Sequence, residues 1–285
     1  MTLPGLGALR CPHCGAELHG ESRRLLCPNN HAFDLAKQGY APLVAATSNL
    51  TTADTATQVA ARQDFLDTGA YAPFHSALRQ AAETDAPGIA LELGCGTGYY
   101  LADFLEHTER TGIGIDTSKY ALRRAAKAHP RMTAILADGW QRLPIADNAV
   151  AVALNVFAPR NRSELHRVLH PHGRLVTLTP NSGHLHPLPE YISMLSAEEN
   201  KEQRLSDTLS PDFQALSHTE VTRQLTMSQT MVCDLIRMGP TARHWDDAEL
   251  TTAITTSVPS ELDVTVSVTI TAWQRNPSSA PSSQY

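Results

Sequence analysis

The stretch IALELGCGTGYYLADFL, residues 89–105, decides the fold. IALEL is a short apolar strand, GCGTG is a tight glycine loop, and YYLADFL continues with helical spacing. A strand, a glycine loop and a helix in this order build a nucleotide-type site at the edge of a parallel sheet. The third glycine comes one residue earlier than in the dinucleotide pattern G-x-G-x-x-G, which disfavours an NAD-dependent oxidoreductase.

Further strands follow and alternate with helices. GIGID, MTAILAD and NAVAVALN predict strands that end at Asp116, Asp138 and Asn155, and GRLVTLTP predicts a fifth strand at 173–180. SKYALRRAAKAHP and NRSELHRVLH lie between these strands and have helical spacing. This alternation predicts an α/β protein with a doubly wound, Rossmann-like sheet.

Two of the strand ends carry acids that suit an adenosine ligand. Asp116 follows Gly96 by 20 residues and can bind both hydroxyls of a ribose. Asp138 is positioned to meet an adenine amino group. A purely structural glycine loop is the alternative, but glycines together with two such acids favour a site for S-adenosylmethionine. The predicted cofactor residues are Gly94, Gly96, Gly98, Asp116 and Asp138.

The segment CPHCGAELHGESRRLLCPNNH, residues 11–31, is called the knuckle here. Its cysteines and last histidine have the spacing of a tetrahedral zinc site, and a segment this short needs the metal to fold. His13 and His19 are rival imidazoles, but His31 supplies the spacing that closes the second half-site. A redox C-x-x-C is disfavoured because no thioredoxin-like unit surrounds it. The predicted zinc ligands are Cys11, Cys14, Cys27 and His31.

Composition limits the class of protein. The chain has 285 residues, 42% hydrophobic and 18% charged residues, and a net charge of −6, as in ordinary globular proteins. A nucleic-acid partner would therefore need a local basic face. Five cysteines, no signal-peptide core and no membrane-spanning stretch predict a cytoplasmic location without membrane contact. The last residues, NPSSAPSSQY at 276–285, are typical of a disordered tail.

The flanking segments complete the predicted architecture. Residues 70–84 predict an amphipathic helix with its N-terminal turn, and the alternating stretches 217–228 and 261–273 predict strands that close the sheet. The last of them is expected to pair antiparallel with its neighbour. The loop MGPTARHW, residues 238–245, is a candidate lid over the site.

At this point the chain resembles a known family. The segments CPHC, AFDLAKQGY, FLDTGAYAP, LELGCGTGYY, NVFAPRN and TPNSGHL occur in one order and are similar to the bacterial guanine-N1 methyltransferases of large-subunit ribosomal RNA. Among these, the chain most resembles actinomycete members that confer resistance to tylosin-type macrolides. The resemblance spans about Leu9 to Gln274.

The resemblance implies an N-terminal zinc finger that helps to recognise an RNA hairpin, a methyltransferase domain that binds S-adenosylmethionine, and a homodimer. We expect the zinc-binding domain at 1–45 and the methyltransferase domain at 46–275. The resemblance also implies zinc binding by the four knuckle ligands, and it adds cofactor contacts at Tyr71, Tyr100, Leu101 and His184. Each of these four residues could instead be a packing or capping residue.

Methylation of guanine N1 is an in-line displacement that requires positioning more than covalent chemistry. Asn155 is expected to meet the target base and Arg160 to contact its O6 or a phosphate, unless both only form a turn with Pro159. No general base is assigned. Arg23 and Arg24, between the two ligand pairs of the knuckle, are the favoured RNA contacts, while the basic helix 119–131 is taken as a solvated face.

Two other functions share parts of this pattern. A methyltransferase of a small metabolite would have the same cofactor residues but gives no reason for the knuckle. A zinc-containing RNA-binding protein without activity would not need an intact glycine loop. Methyl transfer to ribosomal RNA would distinguish the favoured function from both alternatives. The sequence does not identify the modified guanine.

Overall fold

The computed structural model describes residues 3–45, 48, 50, 51, 53–194 and 201–276. The knuckle and the residues after it form a small antiparallel sheet in the order β1-β2-β3. Its strands are β1 (His19–Glu21), β2 (Arg24–Leu26) and β3 (Ala32–Asp34). These strands are too short to bury a core by themselves, and Leu25 and Phe33 face inward from β2 and β3.

Eight strands of the described chain form the main sheet. They are β4 (Ala41–Pro42), β5 (Ile89–Leu93), β6 (Gly112–Asp116), β7 (Met132–Leu136), β8 (Val150–Val156), β9 (Leu169–Pro180), β10 (Phe213–Ser228) and β11 (Glu261–Arg275). Their spatial order is β10-β11-β9-β8-β5-β6-β7-β4. Every residue of β5 and β8 is buried, as expected for parallel strands covered by helices on both faces.

Helices connect the strands and cover the sheet. Their bounds are α1 (Ala56–Asp67), α2 (Pro73–Ala81), α3 (Tyr99–Glu106), α4 (Lys119–Ala128), α5 (Arg162–Val168), α6 (Leu188–Tyr191), α7 (Lys201–Leu209), α8 (Gln229–Arg237) and α9 (Asp247–Ser257). Short 3₁₀ helices occupy Leu6–Ala8 and Pro240–His244. The predicted helix at 70–84 is shorter than expected because its regular part begins at Pro73, a residue suited to a first helical position.

The strand order places the site. From β5 the chain moves outward through β6 and β7, then returns to the other side of β5 with β8 and β9. All pairs from β4 to β9 are parallel, so the carboxyl ends of β5 and β8 meet at the point where the order reverses. Ligands of doubly wound sheets bind in this crevice. The predicted Rossmann-like fold is confirmed.

The predicted antiparallel strands that close the sheet are also confirmed, although two α-helices separate them along the chain. β10 and β11 run antiparallel with Val221 opposite Val268, and β11 pairs antiparallel with β9. The candidate lid at 238–245 contains the second 3₁₀ helix, and the indole of Trp245 donates to the Ser193 carbonyl at 3.2 Å. Its closing motion stays a prediction.

The N-terminal segment is fastened to the main sheet. Leu9 bridges Ile145, the Arg10 amide donates to the Pro144 carbonyl at 2.9 Å, and β4 pairs with β7. Leu25 and Phe33 lie in the same buried cluster as residues of the main sheet. The boundary between residues 45 and 46 stays a prediction, and the final strand of the predicted zinc-binding domain belongs to the large sheet.

Two further expectations concern the ends and the surface. Of the predicted tail at 276–285, only Asn276 is described, and its amide donates to the Asp212 carbonyl; the rest lies outside the described residues. Within the described part of the chain, no helix is long and apolar enough to cross a membrane.

Candidate active site and metal centre

The glycine loop at 94–98 is built from left-handed backbone. Gly94, Gly96 and Gly98 have φ of 69°, 53° and 85°, which L side chains rarely adopt. A Cβ on Gly94 would lie 2.8 Å from the Cβ of Ala158, so this glycine lets the loop after β8 approach closely. A Cβ on Gly96 would lie 3.0 Å from the guanidinium of Arg62. The absence of side chains at these glycines therefore lets the neighbouring loops come close to the loop backbone, so that a single ligand could contact both.

Asp116 is held beside this loop. One of its carboxylate oxygens accepts from the Gly96 amide at 2.8 Å, and the other accepts from the Ser118 amide at 2.7 Å. Burial raises the pKa of Asp116, while these two amides oppose the shift. Each oxygen keeps acceptor capacity beyond the one bond. The carboxylate can therefore still accept hydrogen bonds from two hydroxyls of a ligand.

Asp138 lies next to Asp116 at the same edge of the sheet. The amide of Ala137 donates to the Asp116 carbonyl at 3.2 Å, and an Asp138 carboxylate oxygen accepts from the Trp140 amide at 2.9 Å. Asp138 is buried, whereas Trp140 is 61% exposed. The two acids predicted from successive strand ends are thus brought together by parallel pairing of β6 and β7.

Sequence reasoning missed Glu92, which lies in β5 below the glycine loop. Glu92 is buried, and a carboxylate oxygen accepts from the Leu101 amide at 3.1 Å. That amide lies in the first turn of α3, where backbone N–H groups have no helical acceptor. Burial raises the pKa of Glu92 to about 8. The available signal was the one charged residue within the apolar run IALEL.

An aromatic group lines the β8 side of the crevice. The Tyr71 and Phe157 ring centroids are 6.0 Å apart, as are those of Phe157 and His184. His184 is fixed by its Nδ1, which lies 3.0 Å from the Ser267 carbonyl oxygen. Burial raises the pKa values of Tyr71 and Tyr100. Three of the residues predicted to contact the cofactor therefore lie near the carboxyl ends of the parallel strands: Tyr71, Tyr100 and His184.

Leu101 is placed differently from these three residues. Its side chain is fully buried, where it packs against Gly112, and its amide is engaged by Glu92. Its contact with a cofactor stays a prediction.

Asn155 lies at the carboxyl end of β8 and is fully buried. Its amide nitrogen donates to the Pro159 carbonyl at 3.0 Å, which fixes the following loop. Five side-chain atoms of the described residues are buried without a hydrogen-bond partner, and three of them belong to predicted site residues: the Asn155 Oδ1, the Arg160 Nε and the Tyr100 hydroxyl. Burial also lowers the pKa of Arg160. Buried polar atoms are normally satisfied, so these three groups point to a missing polar ligand.

The residues present fit an adenosine-containing ligand with a charged tail. The crevice offers a glycine cradle that side chains would fill, two acids at neighbouring strand ends, and unpartnered polar atoms on the β8 side.

The knuckle brings its four predicted ligands together. The ligand atoms of Cys11, Cys14, Cys27 and His31 all lie within 4.8 Å of one another. Cys14 and Cys27 sulfurs are 3.7 Å apart, and His31 Nδ1 is 3.4 Å from the Cys11 and Cys27 sulfurs. Sulfurs bound at about 2.3 Å to one tetrahedral zinc lie about 3.8 Å apart. These three separations therefore fit a tetrahedral zinc site.

The other knuckle groups support this assignment. His13 stacks on Phe33 at 5.6 Å rather than joining the ligand atoms, and His19 lies exposed on β1. A backbone amide, that of Ala16, is the main cause that lowers the pKa of Cys14 to about 6, whereas burial raises the pKa of Cys11 to about 11. Cys14 thus loses its proton more readily than Cys11.

The two arginines favoured for RNA contact, Arg23 and Arg24, have protein partners, as does Arg162 in α5. Arg24 pairs with Asp34 at 2.6 Å, Arg23 donates to the Ala36 carbonyl at 2.8 Å, and Arg162 pairs with Asp212 at 2.7 Å. A cavity of about 670 Å³ separates the first knuckle loop from the main domain and is lined by Arg10, Arg142 and Arg167. Arg142 is exposed and has no ion-pair partner in the described part of the chain.

Comparison with known proteins gives two family models. A zinc-ribbon model described as "RlmA, N-terminal" matches residues 9–48, and a methyltransferase domain model matches residues 90–173. Together they cover the knuckle and the strands from β5 to β8.

Two curated proteins match nearly the whole chain. The chain is 42% identical to the 23S rRNA (guanine(748)-N(1))-methyltransferase of Streptomyces fradiae, over 94% of this chain and 97% of that protein. It is 38% identical to a putative 23S rRNA (guanine-N(1)-)-methyltransferase of Micromonospora griseorubida, over 93% of this chain and 97% of that protein.

Proposed function

Since the chain belongs to the 23S rRNA (guanine-N1)-methyltransferase family, we propose that it methylates N1 of a guanine in a hairpin loop of 23S rRNA. Its cofactors are S-adenosylmethionine and zinc. The observation that carries the proposal is the extent of the match, which includes both the zinc ribbon and the cofactor crevice. A methyltransferase of a small metabolite would leave the ribbon without a role.

The two sides of the crevice suit different ligands, the cofactor on one side and the target base on the other. On the β6 and β7 side, Asp116 would hold the ribose hydroxyls and Asp138 the adenine amino group. The backbone of Gly94, Gly96 and Gly98 would cradle the tail of the cofactor, with Tyr71, Tyr100 and His184 around it. When bound, S-adenosylmethionine supplies an activated methyl group. The base that receives it would then approach from the β8 side.

Asn155 and Arg160 are proposed to act on that base. The cofactor would supply the methyl group to N1, its sulfur would keep the electron pair of the broken bond, and the N1 proton would pass to solvent. The unpartnered Oδ1 of Asn155 can accept a hydrogen bond from a guanine N–H, which orients N1 for in-line attack. Arg160 can donate to O6, where negative charge accumulates as the N1 proton leaves.

The knuckle is proposed to extend the surface that reads RNA. Arg23 and Arg24 stay candidates, although Arg24 shares its charge with Asp34. The groove beside the knuckle is lined by Arg10, Arg142 and Arg167. Arg10 pairs with Glu17, and Arg167 pairs with Asp147 and Glu164, so Arg142 is the cationic group that this groove offers to a partner. RNA hairpins are recognised largely through shape and phosphates, so such a groove suits this partner.

We also infer a role in protection against macrolides of the tylosin type. The Streptomyces fradiae relative is named for guanine 748 of 23S rRNA. A methyl group placed near the drug site in the exit tunnel could obstruct the drug. The cytoplasmic location and the homodimer remain predictions that accompany this role.

The test is methyl transfer from labelled S-adenosylmethionine to unmodified 23S rRNA, with the modified base mapped by primer extension. We expect incorporation at N1 of a single guanine, and loss of at least about 100-fold in rate for Asn155→Ala if a donor or acceptor to the reacting base is removed. Transfer to no RNA, with cofactor binding intact, would favour a small-metabolite substrate. Macrolide susceptibility of a host expressing the protein then tests protection separately.

A further inference from the structure

Phe157 combines two features that a packing residue would not have. Its φ is 51°, a left-handed backbone that a bulky L residue adopts only under strain. Its side chain is also 43% exposed, unlike the aromatic residues of the core. The protein thus accepts a strained backbone without gaining full burial of the ring, and strain of this kind is concentrated at functional sites.

The surrounding structure holds Phe157 in this conformation. Its amide donates to the Leu178 carbonyl at 3.2 Å. The preceding Asn155 side chain donates to the Pro159 carbonyl, and the following Ala158 lies against Gly94, where a Cβ would not fit. The strand before it, the loop after it and the glycine loop therefore all fix the position of the ring.

The ring lies on the acceptor side of the crevice. It is flanked by Tyr71 and His184, each with a ring centroid at 6.0 Å. It follows Asn155, whose buried Oδ1 has no partner among the described residues. Asp116 and Asp138 end the strands on the opposite side of β5, so an adenosine held by them leaves the Phe157 side to the methyl acceptor.

We propose that Phe157 is the stacking surface for the target guanine after the base leaves the RNA loop. This inference rests on the proposed function. A base taken out of its stack loses contact with its neighbours, and an aromatic ring restores that contact from one face. The ring accepts any base, whereas Asn155 and Arg160 would supply the choice of guanine through its polar edge.

Paired substitutions separate stacking from structural support. Phe157→Asn removes the ring and suits a left-handed backbone, while Phe157→Tyr keeps both ring and strain. We expect the Asn variant to melt no lower than the unaltered protein, to bind S-adenosylmethionine equally in calorimetry, and to lose about 10- to 100-fold in kcat/KM for RNA through a raised KM. The Tyr variant should keep RNA methylation within about threefold.

A binding measurement adds a readout apart from activity. The fluorescence of RNA that carries 2-aminopurine at the mapped guanine should increase when the unaltered protein unstacks that base. With the Phe157→Asn variant, half of the maximal increase should require a higher protein concentration. If the Asn variant melts lower and methylates RNA normally, Phe157 has a structural role and the inference is wrong. If the unaltered protein methylates no RNA, the proposed function fails and stacking fails with it.

Discussion

At the scale of single residues, Glu92 is expected to make the stability of the folded protein depend on pH. Its pKa rises from an ordinary value of 4.5 to about 8 because the carboxyl is buried. Between these values the folded protein holds a proton that the unfolded chain releases. The folded state then binds more protons, so the free energy of unfolding falls as pH rises through this window.

Glu92→Gln should remove this dependence, because the amide keeps an acceptor for Leu101 and carries no charge. When the pH rises from 5 to 8, we expect the free energy of unfolding of the variant to increase relative to that of the unaltered protein by at least about 1.4 kcal/mol, which corresponds to one pKa unit. Urea unfolding at both pH values measures this difference. Glu83→Gln, at an exposed position, is the matched control and should show no gain. Parallel pH curves for all three proteins would contradict the argument.

Residues that follow a strand directly could be predicted from the sequence, and others could not. Asp116, Asp138 and the three glycines depend only on the order of strand, loop and helix. Phe157 could not be singled out because its role depends on a φ angle and on rings that come from 71 and 184. Leu101 was named by resemblance, and its burial depends on packing that spacing does not reveal.

At the scale of elements, the knuckle depends on its metal. Cys14→Ser should lower zinc content to well below one ion per chain, because tetrahedral binding needs all four ligands. Since the knuckle shares a buried cluster with the main sheet, we also expect the Tm to fall by more than about 5 °C, or at least 1–2 kcal/mol.

Cys233→Ser provides the control for the knuckle, because Cys233 lies in α8 and outside the ligand cluster. Atomic absorption and thermal melting should show full zinc content and, at most, a small change in Tm for this variant. Equal zinc content in both serine variants would rule out the proposed ligand set.

Elements with regular patterns were predicted better than short or shared ones. The alternation in β10 and β11 indicated both strands, and the central strands followed from apolar runs. β4 has only two residues, one of them a proline, so no periodicity could indicate that it joins the large sheet. Its pairing depends on β7, which lies about 90 residues further along the chain.

At the scale of the whole molecule, RNA binding should depend more on the groove beside the knuckle than on the tip of the knuckle, the hairpin of β1 and β2 that carries Arg23 and Arg24. Arg142 is exposed without an ion-pair partner among the described residues, whereas Arg24 is paired with Asp34. We expect Arg142→Gln to reduce the slope of log affinity for RNA against log salt by about 0.7 to 0.9, the value for one lost phosphate contact. Arg24→Gln should change it less.

Filter binding to the 23S rRNA hairpin from 50 to 200 mM salt would measure both slopes, with Asp34→Asn as the companion of Arg24→Gln. If releasing Arg24 from Asp34 strengthens binding, the knuckle tip also touches phosphate. A larger slope change for Arg24→Gln than for Arg142→Gln would move the main contact from the groove to the tip.

The pairing of β4 with β7 gives the protein a fixed reach. The strand that leaves the knuckle is hydrogen-bonded beside the strand that leads to Asp138, so the knuckle and this predicted cofactor residue are joined through one sheet. The distance between the knuckle and Asp138 is therefore fixed, whereas a flexible linker would let it vary. If the knuckle binds RNA as proposed, the protein would select a guanine by its distance from the bound part of the hairpin, and a stem of another length would present a different base.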